Sequence, residues 1–472
     1  MLSSSLSTTG SHDQEEDDST DHNHSYQNNP ALPPGRQFPS TPVTHMRQLL
    51  ISCAELVSQA DFSAAHRLVS LLSTTSSPYG DSTDRLVHQF SRALSLRINR
   101  HYRNNFVTTS SSAAAASGNA MIPFAAHHHP DATIIISPAS GGGAAAGGPS
   151  ELEALQSSYL SLNQITPFIR FSHLTANQAI LEAIEGQQSI HILDFDTMLG
   201  VQWPPLMQAI AERSDPSNPP MIRITGAGQD LDTLCRTGER LQKFAESLGL
   251  RFQFHPLLLL LNDPSNLALH LPSAVALLPD ETLAVNCVLY LHRILRDDDV
   301  GSSNKQYSSS TSSSSSRDED LRLFLRTIKA MNPKVVTVAE REANNNHPNF
   351  LQRFVEALDH YTALFDSLEG TLPPNSRERL SVEQVWFGRE IVDIVSAEGE
   401  ERRERHEKLE SWAEKLTSSG FRNVPLSPFA LSQAKLLLRL HYPSEGYQLQ
   451  ILNDTFFLGW QNQSLFTVSS WF

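Results

Sequence analysis

Cysteine is scarce: Cys53, Cys235 and Cys287 are the only three in 472 residues. They lie too far apart for a CxxC pair or a zinc-finger module, and a disulfide framework is not expected, so a reducing compartment fits. Long apolar runs are lacking too. The longest leucine run, at 257–261, is far too short to cross a bilayer. Residues 1–30 hold Ser and acids and no apolar segment, so no signal peptide is expected. Basic residues are outnumbered, 36 against 51 acids, for a formal net charge of −15. A chain this acidic is repelled as a whole by phosphate backbones and anionic lipid. No helix-turn-helix, basic zipper or finger signature stands out. Arginines do occur in "RERL" (377–380) and "EERRERHEK" (400–408), but acids alternate with them. On a helix that pattern reads as a solvated, salt-bridged face.

Residues 1–43 cannot bury enough surface to offset chain entropy, and a disordered tail is expected there. Order begins in "HMRQLLISCAELVSQADFSAAHRLVSLLS", where apolar residues recur at helical spacing and Asp61 can cap a second helix. "DSTDRLVHQFSRALSLRI" adds a third. These stripes read either as a dimerising leucine seam or as a bundle packing on its own core, and their width favours the bundle. Residues 103–150 form a low-complexity insert with His127, His128 and His129 in a row. Adjacent histidines can hold a metal weakly; in such a segment compositional drift is the ordinary reading. A second insert, 302–320, reads as a serine-rich solvent loop. In "HLTANQAILEAIEG", Thr175 and Gln178 have capping-box spacing and Gly186 a stop position.

From there, strand and helix signals alternate. Strands are expected at 190–194, 221–226, 251–257, 282–288 and 334–340, with helices at 203–213, 232–248, 265–278 and 319–331 between them. Such alternation makes a parallel sheet. Three more helices are expected at 349–367, 380–396 and 399–418. The segments "AKLLLRLHY", "GYQLQIL", "FFLGWQ" and "SLFTVSSW" then read as antiparallel edge strands. The expected fold is α/β, a mostly parallel Rossmann-type sheet with antiparallel C-terminal strands and a helical cap.

The stretch "SIHILDFDTMLGVQWPPLMQAI" (189–210) carries the functional question. An apolar strand ends on Asp194, and a loop and helix follow, as in a cofactor site. Yet the loop Phe195–Gly200 has one glycine and two nearby acids, Asp194 and Asp196, which would repel phosphate. The order resembles that of S-adenosylmethionine-dependent methyltransferases, but their glycine-rich loop is missing. The fourth strand ends "VNCVLYLH", without a proline-containing turn. Asp194 could hold a ribose or cap the loop's amides. His191, inside a buried strand, reads as a satisfied core histidine. His292 near Asp297–Asp299 has no nucleophile beside it. Glu340 and Glu342 end a strand, where Arg341 and Lys334 offer ion pairs. No catalytic pair, cofactor or metal is assigned.

Five blocks in fixed order then resemble the plant GRAS-domain family, from about residue 45 to the last residue. The first leucine-rich region resembles "RQLLISCAELVSQADFSAAHRLVSLLS". The VHIID region resembles Ile190, His191, Ile192, Leu193 and Asp194 with "GVQWPPLMQAI". The second leucine-rich region resembles "GERLQKFAESLGLRFQF". The PFYRE region resembles "VVTVAEREANNNHPNFLQRFVEALDHYTALFDSLE" onward, and the SAW region "GFRNVPLSPFALSQAKLLLRL" through "LGWQNQSLFTVSSW". Within the family, "SPYGDSTDRLVHQFSRALSLRINR" and "LHYPSEGYQLQ" resemble the lateral suppressor branch. The blocks divide 44–472 at 101, 150, 188, 345 and 418. The resemblance implies a methyltransferase-like core with a helical cap in a nuclear transcriptional regulator. It also implies a role in starting axillary meristems, with no membrane involvement. Implied partners are DNA-binding proteins, zinc-finger factors among them, and other GRAS chains; direct DNA contact is the weaker mechanism here. Leu49, Leu56, Leu68 and Leu71 are expected to contact a partner or second copy. Gln202, Trp203, Trp460 and Trp471 are expected to hold the core together. The rival reading is a small-molecule-binding or methyl-transferring enzyme using the crevice beyond Asp194, Gly226 and Asn286.

Overall fold

A computed structural model describes residues 42–112, 150–259, 264–296 and 318–472. The readings of 1–41, of most of the histidine-bearing insert and of the serine loop lie outside these residues. The chain opens with α1 (Pro42–Ser58), α2 (Phe62–Thr75), α3 (Ser82–Ser112), α4 (Glu151–Ile165) and α5 (Pro167–Ala183). The sheet begins with β1 (Ser189–Asp194), α6 (Trp203–Arg213), β2 (Met221–Gly228), α7 (Leu231–Ser247) and β3 (Arg251–Leu258). It continues through α8 (Pro264–Val275), β4 (Thr282–Val288), α9 (Glu319–Ala330) and β5 (Val335–Arg341). Then come α10 (Phe350–Thr371), α11 (Arg377–Ser381), α12 (Gly388–Ser396), α13 (Leu409–Ser418), β6 (Asn423–Val424) and α14 (Pro428–His441). The chain closes with β7 (Tyr447–Leu452), β8 (Thr455–Trp460) and β9 (Gln463–Trp471).

The sheet order is β3-β2-β1-β4-β5-β9-β8-β7, with β6 beside β9. The first five strands in that order are parallel, and β9, β8 and β7 run antiparallel. Register follows the two-residue period of the apolar positions. Ile190 and Ile192 pair with Ile222 and Ile224 and face α6 and α7, while Leu193 and Val285 face α8 and α9. A third core lies under α1–α5, α10, α12 and α14.

Local chemistry explains most boundaries. Asp61 accepts the Ala64 N–H and caps α2. Ser150 and Glu153 form a reciprocal capping box at α4. Thr175 and Gln178, by contrast, lie in mid-helix: α5 starts at Pro167, whose fixed φ suits a first turn, so their spacing caps nothing. The segment "AKLLLRLHY" is not a strand. It belongs to α14, where Ser427 caps the Ala430 N–H and Pro428 fills the first turn. Ala430 and Ala434, four apart, are its buried face, and "KLLLRL" has no polar–apolar alternation to sustain a half-buried strand. Residues 399–418 are not one helix: a single turn at Gly399–Glu401 leads into a non-helical stretch before α13. Gly399, at φ +57, marks the break. The third helix runs to Ser112, into the expected insert.

Trp471 is buried on β9 and donates its indole N–H to Ser469 Oγ at 2.9 Å. Trp460 lies against α10 at Gly370 and against Gly446, where an added Cβ would stand 2.3 Å from the indole. Replacing Gly446 by Ala therefore forces the indole to shift; we expect a loss of roughly 1–3 kcal/mol of unfolding free energy by urea denaturation.

Candidate functional site

The carboxyl ends of β1, β4 and β5 meet where sheets of this type open a ligand crevice. In this chain the opening is filled from inside. Asp194 is 2 % exposed. Its carboxylate accepts the Trp203 indole N–H at 3.0 Å and the Asn286 amide at 2.9 Å. Gln202 Nε2 donates to Asn286 Oδ1 (3.2 Å) and Asn177 Oδ1 (3.1 Å), while Asn286 Nδ2 donates back to Gln202 Oε1 (3.1 Å). The Thr337 hydroxyl donates to Asn286 Oδ1 at 2.9 Å. One network thus ties α5, β1, the following loop, β4 and β5. Burial pushes the Asp194 carboxyl up to about 6, although its donors from Asn286, Thr197 and Trp203 favour the charged form.

Three amides of the loop and that of Trp203 are spent in the same way. Phe195 N–H donates to Asn286 O (3.1 Å), Thr197 N–H to Ala227 O (3.0 Å), Gly200 N–H to Thr197 O (2.7 Å) and Trp203 N–H to Gly200 O (3.2 Å). Gly200 and Met198 take positive φ to close this turn, and a Cβ on Gly200 would stand 2.6 Å from Thr237. At Gly226 a Cβ would stand 2.4 Å from the Phe254 ring and 2.8 Å from Thr197 Oγ1. Asp194, Gly226 and Asn286, the walls of the rival crevice, are therefore packed against the chain's own side chains. The Trp203 indole and the Asn286 carboxamide, and no main-chain amide of the loop, are the donors hydrogen bonded to Asp194.

The other expected residues fall as follows. His191 Nε2 lies 2.8 Å from Thr225 Oγ1 and its Nδ1 3.3 Å from Glu281. Burial holds its pKa down at about 4, with Arg223 adding to the effect. His292 does not need Asp297–Asp299, which lie outside the described residues. Its Nδ1 is 2.7 Å from Glu340 Oε2, its Nε2 3.1 Å from Glu404 Oε2, and its ring stacks on His406 at 4.2 Å. Arg341 does not pair with Glu340. It pairs with Glu390 at 2.6 Å, and Tyr361 donates to the same carboxylate at 2.8 Å. Glu342 accepts the Leu409 N–H.

The run "EERRERHEK" departs most from its sequence pattern. Arg402, Glu404, Arg405 and His406 are buried rather than solvated. Because the segment is not a helix, its arginines reach main-chain oxygens: Arg402 donates to Asn345 O at 2.8 Å and Arg405 to Gly399 O at 2.7 Å. Arg379 of "RERL" is buried as well and donates to Pro374 O. Sequence reasoning missed Asn177, Thr337, Glu404 and His406. The one local signal was a run of polar residues, Thr175, Asn177 and Gln178, inside the buried part of α5.

Leu49, Leu56 and Leu68 are half-buried against the helical core, and Leu71 is 53 % exposed. Among the described residues no helix is long and apolar enough to cross a membrane.

Asp194→Asn separates a structural carboxylate from a ligand-holding one. The amide must present an N–H to either Trp203 or Asn286, both donors. We expect a loss of roughly 1–3 kcal/mol in urea denaturation; a carboxylate reserved for a ligand would leave stability unchanged or raised.

Three comparisons bear on this architecture. The GRAS domain family matches residues 46–472. Scarecrow-like protein 18 of Arabidopsis thaliana is 50 % identical over 431 residues, 90 % of this chain and 91 % of that protein. Protein MONOCULM 1 of Oryza sativa subsp. japonica is 43 % identical over 447 residues, 90 % and 88 % of the two chains. The crystal structure of SCL7 in Oryza sativa superposes with a TM-score of 0.66 at 31 % identity, covering 92 % of this chain and all of that one. With the sheet order and these matches in agreement, the chain belongs to the GRAS domain family.

Proposed function

We propose that this protein is a nuclear, non-enzymatic transcriptional regulator that works by binding other proteins and takes part in starting axillary meristems and side shoots. The observation that carries the non-enzymatic reading is the filled crevice: Asp194, Gln202, Trp203 and Asn286 satisfy one another where a methyl donor would sit. Buried polar groups already paired within the protein give up nothing to a ligand without breaking those bonds. Branching is the role favoured by the likeness to the lateral suppressor branch and to a relative named MONOCULM 1. The net charge of −15 favours protein partners over a phosphate backbone. Zinc-finger transcription factors and other GRAS chains are the partner classes.

The first helices supply the contact surface. Leu71 of α2, three residues after the half-buried Leu68, is 53 % exposed, and Tyr79 in the turn after α2 is 73 % exposed. A second protein covering a leucine there gains roughly 1.5–3 kcal/mol per large side chain.

Two measurements test this reading. Calorimetry of the full chain with S-adenosylmethionine is expected to give no heat of binding; micromolar affinity lost in Asp194→Ala, with methyl transfer to match, would falsify the non-enzymatic reading. Leu71→Asp is expected to weaken binding to zinc-finger transcription factors from shoot-tip nuclei by about ten- to a hundredfold while the fold is kept. Unchanged capture would move the contact surface away from α2.

A further inference from the structure

We infer that His292, Glu404 and His406 form a site for one divalent transition-metal ion, zinc by preference, which clamps the stretch after α12 onto the end of β4. Their ligand atoms all lie within 4.8 Å of one another, and all three residues are buried. Glu404 Oε2 stands 3.1 Å from His292 Nε2 and 3.5 Å from His406 Nε2. Two ligands each about 2.0–2.1 Å from a tetrahedral ion are about 3.3 Å apart, so both separations match an edge of that tetrahedron. Despite the short approach, His292 Nε2 has no hydrogen-bond partner, because the carboxylate oxygen lies off its axis.

The second shell points to the same site. His292 Nδ1 is 2.7 Å from Glu340 Oε2, so a proton on Nδ1 donates to that carboxylate and Nε2 is the ring atom that faces Glu404. A carboxylate behind a histidine is the usual support of a metal-bound imidazole, fixing its tautomer and raising its basicity. Beside it, His406 Nδ1 and both polar atoms of the Asn345 carboxamide are buried with no partner. The Asn345 N–H donates to His406 O at 2.9 Å, so these groups share one neighbourhood. A cluster of orphaned buried polar atoms calls for an ion or an ordered water.

Two imidazoles and a carboxylate suit zinc better than calcium or magnesium, which take oxygen ligands. The His292 and His406 ring planes stand 14° from parallel. Both in-plane lone pairs reach one ion only after a ring turns about χ2. His406, whose Nδ1 is bonded to nothing, is the ring able to turn. The ion takes the place of any proton on His292 Nε2, and that proton leaves to solvent.

The test uses the full chain made without a polyhistidine tag and carrying His127→Ala, His128→Ala and His129→Ala, so that those adjacent histidines contribute no metal. After zinc loading and dialysis, elemental analysis is expected to find about one zinc per chain. Cobalt in its place should give the visible bands of a four-coordinate site, and chelator should lower the melting temperature. Glu404→Gln and His406→Phe should each cut the zinc content at least tenfold; if either fails to fold, the parent chain's zinc content, cobalt spectrum and chelator response decide alone. Zinc below about a tenth of an ion per chain, with a melting temperature unmoved by zinc or chelator, overturns the inference. The cluster would then be a buried His292 ion pair or a water site.

Discussion

The Asp194 carboxylate is taken up by the protein itself, and the rest of the site depends on that pairing. A buried acid at the end of a parallel strand costs several kcal/mol unless it is hydrogen bonded. In an enzyme of this architecture the ligand supplies part of that satisfaction. Here Trp203 and Asn286 supply it. The indole reaches Asp194 only because the loop turns tightly through Met198 and Gly200, both at positive φ, and delivers Trp203 to the first turn of α6. Asn286 reaches it only because β4 lies beside β1 in a register that sets Asp194 opposite Asn286. Sheet order, loop shape and helix start thus converge on one carboxylate.

A second set of ion pairs, each with a buried guanidinium, ties the helices to one another and, through Arg341, to this sheet. Arg85 of α3 bonds Glu383 at 2.7 Å, Arg341 of β5 bonds Glu390 of α12, and Arg353 of α10 bonds Glu398 at 2.8 Å. Such pairs add little net stability, because the desolvation of both ions offsets their attraction. They penalise misplacement heavily: a helix shifted by one turn would leave a buried guanidinium without its carboxylate. A platform that binds other proteins needs a surface of fixed shape, and these pairs supply geometric selection that apolar packing alone does not.

The sheet was legible in the sequence because its strands carry apolar residues on both faces and its helices carry them at a different period. Ile190, Ile192 and Leu193 announce a strand covered on both sides, and the structure covers it so. What was not legible is what depends on long-range pairing. The charges of 400–408 look solvated when counted along the chain, because alternating signs on a helix face water. The folded segment is not a helix, and some of its charges answer to residues far off in sequence: Glu404 to His292, Arg402 to Asn345. The same holds for "KLLLRL", whose leucines face half toward a core and half outward on α14. Local pattern reports the period of an element and not the identity of what covers it.

The two buried polar centres differ in how completely they are satisfied, and the difference separates their roles. Around Asp194 each carboxylate and carboxamide oxygen accepts at least one bond, from Trp203, Asn286, Gln202 or Thr337. Those oxygens are satisfied by the chain's own donors, which fixes the shape of the network. Around His292 the count does not close, since Nε2 of His292, Nδ1 of His406 and the Asn345 carboxamide stay unpaired. A half-satisfied buried network is less stable than a fully paired one or an apolar core. The deficit lies at the junction of β4, β5 and the stretch before α13, where the inferred ion would bind. The Asp194 carboxylate and the carboxamides around it are paired within the chain, while Nε2 of His292, Nδ1 of His406 and the Asn345 carboxamide are the groups left unmatched.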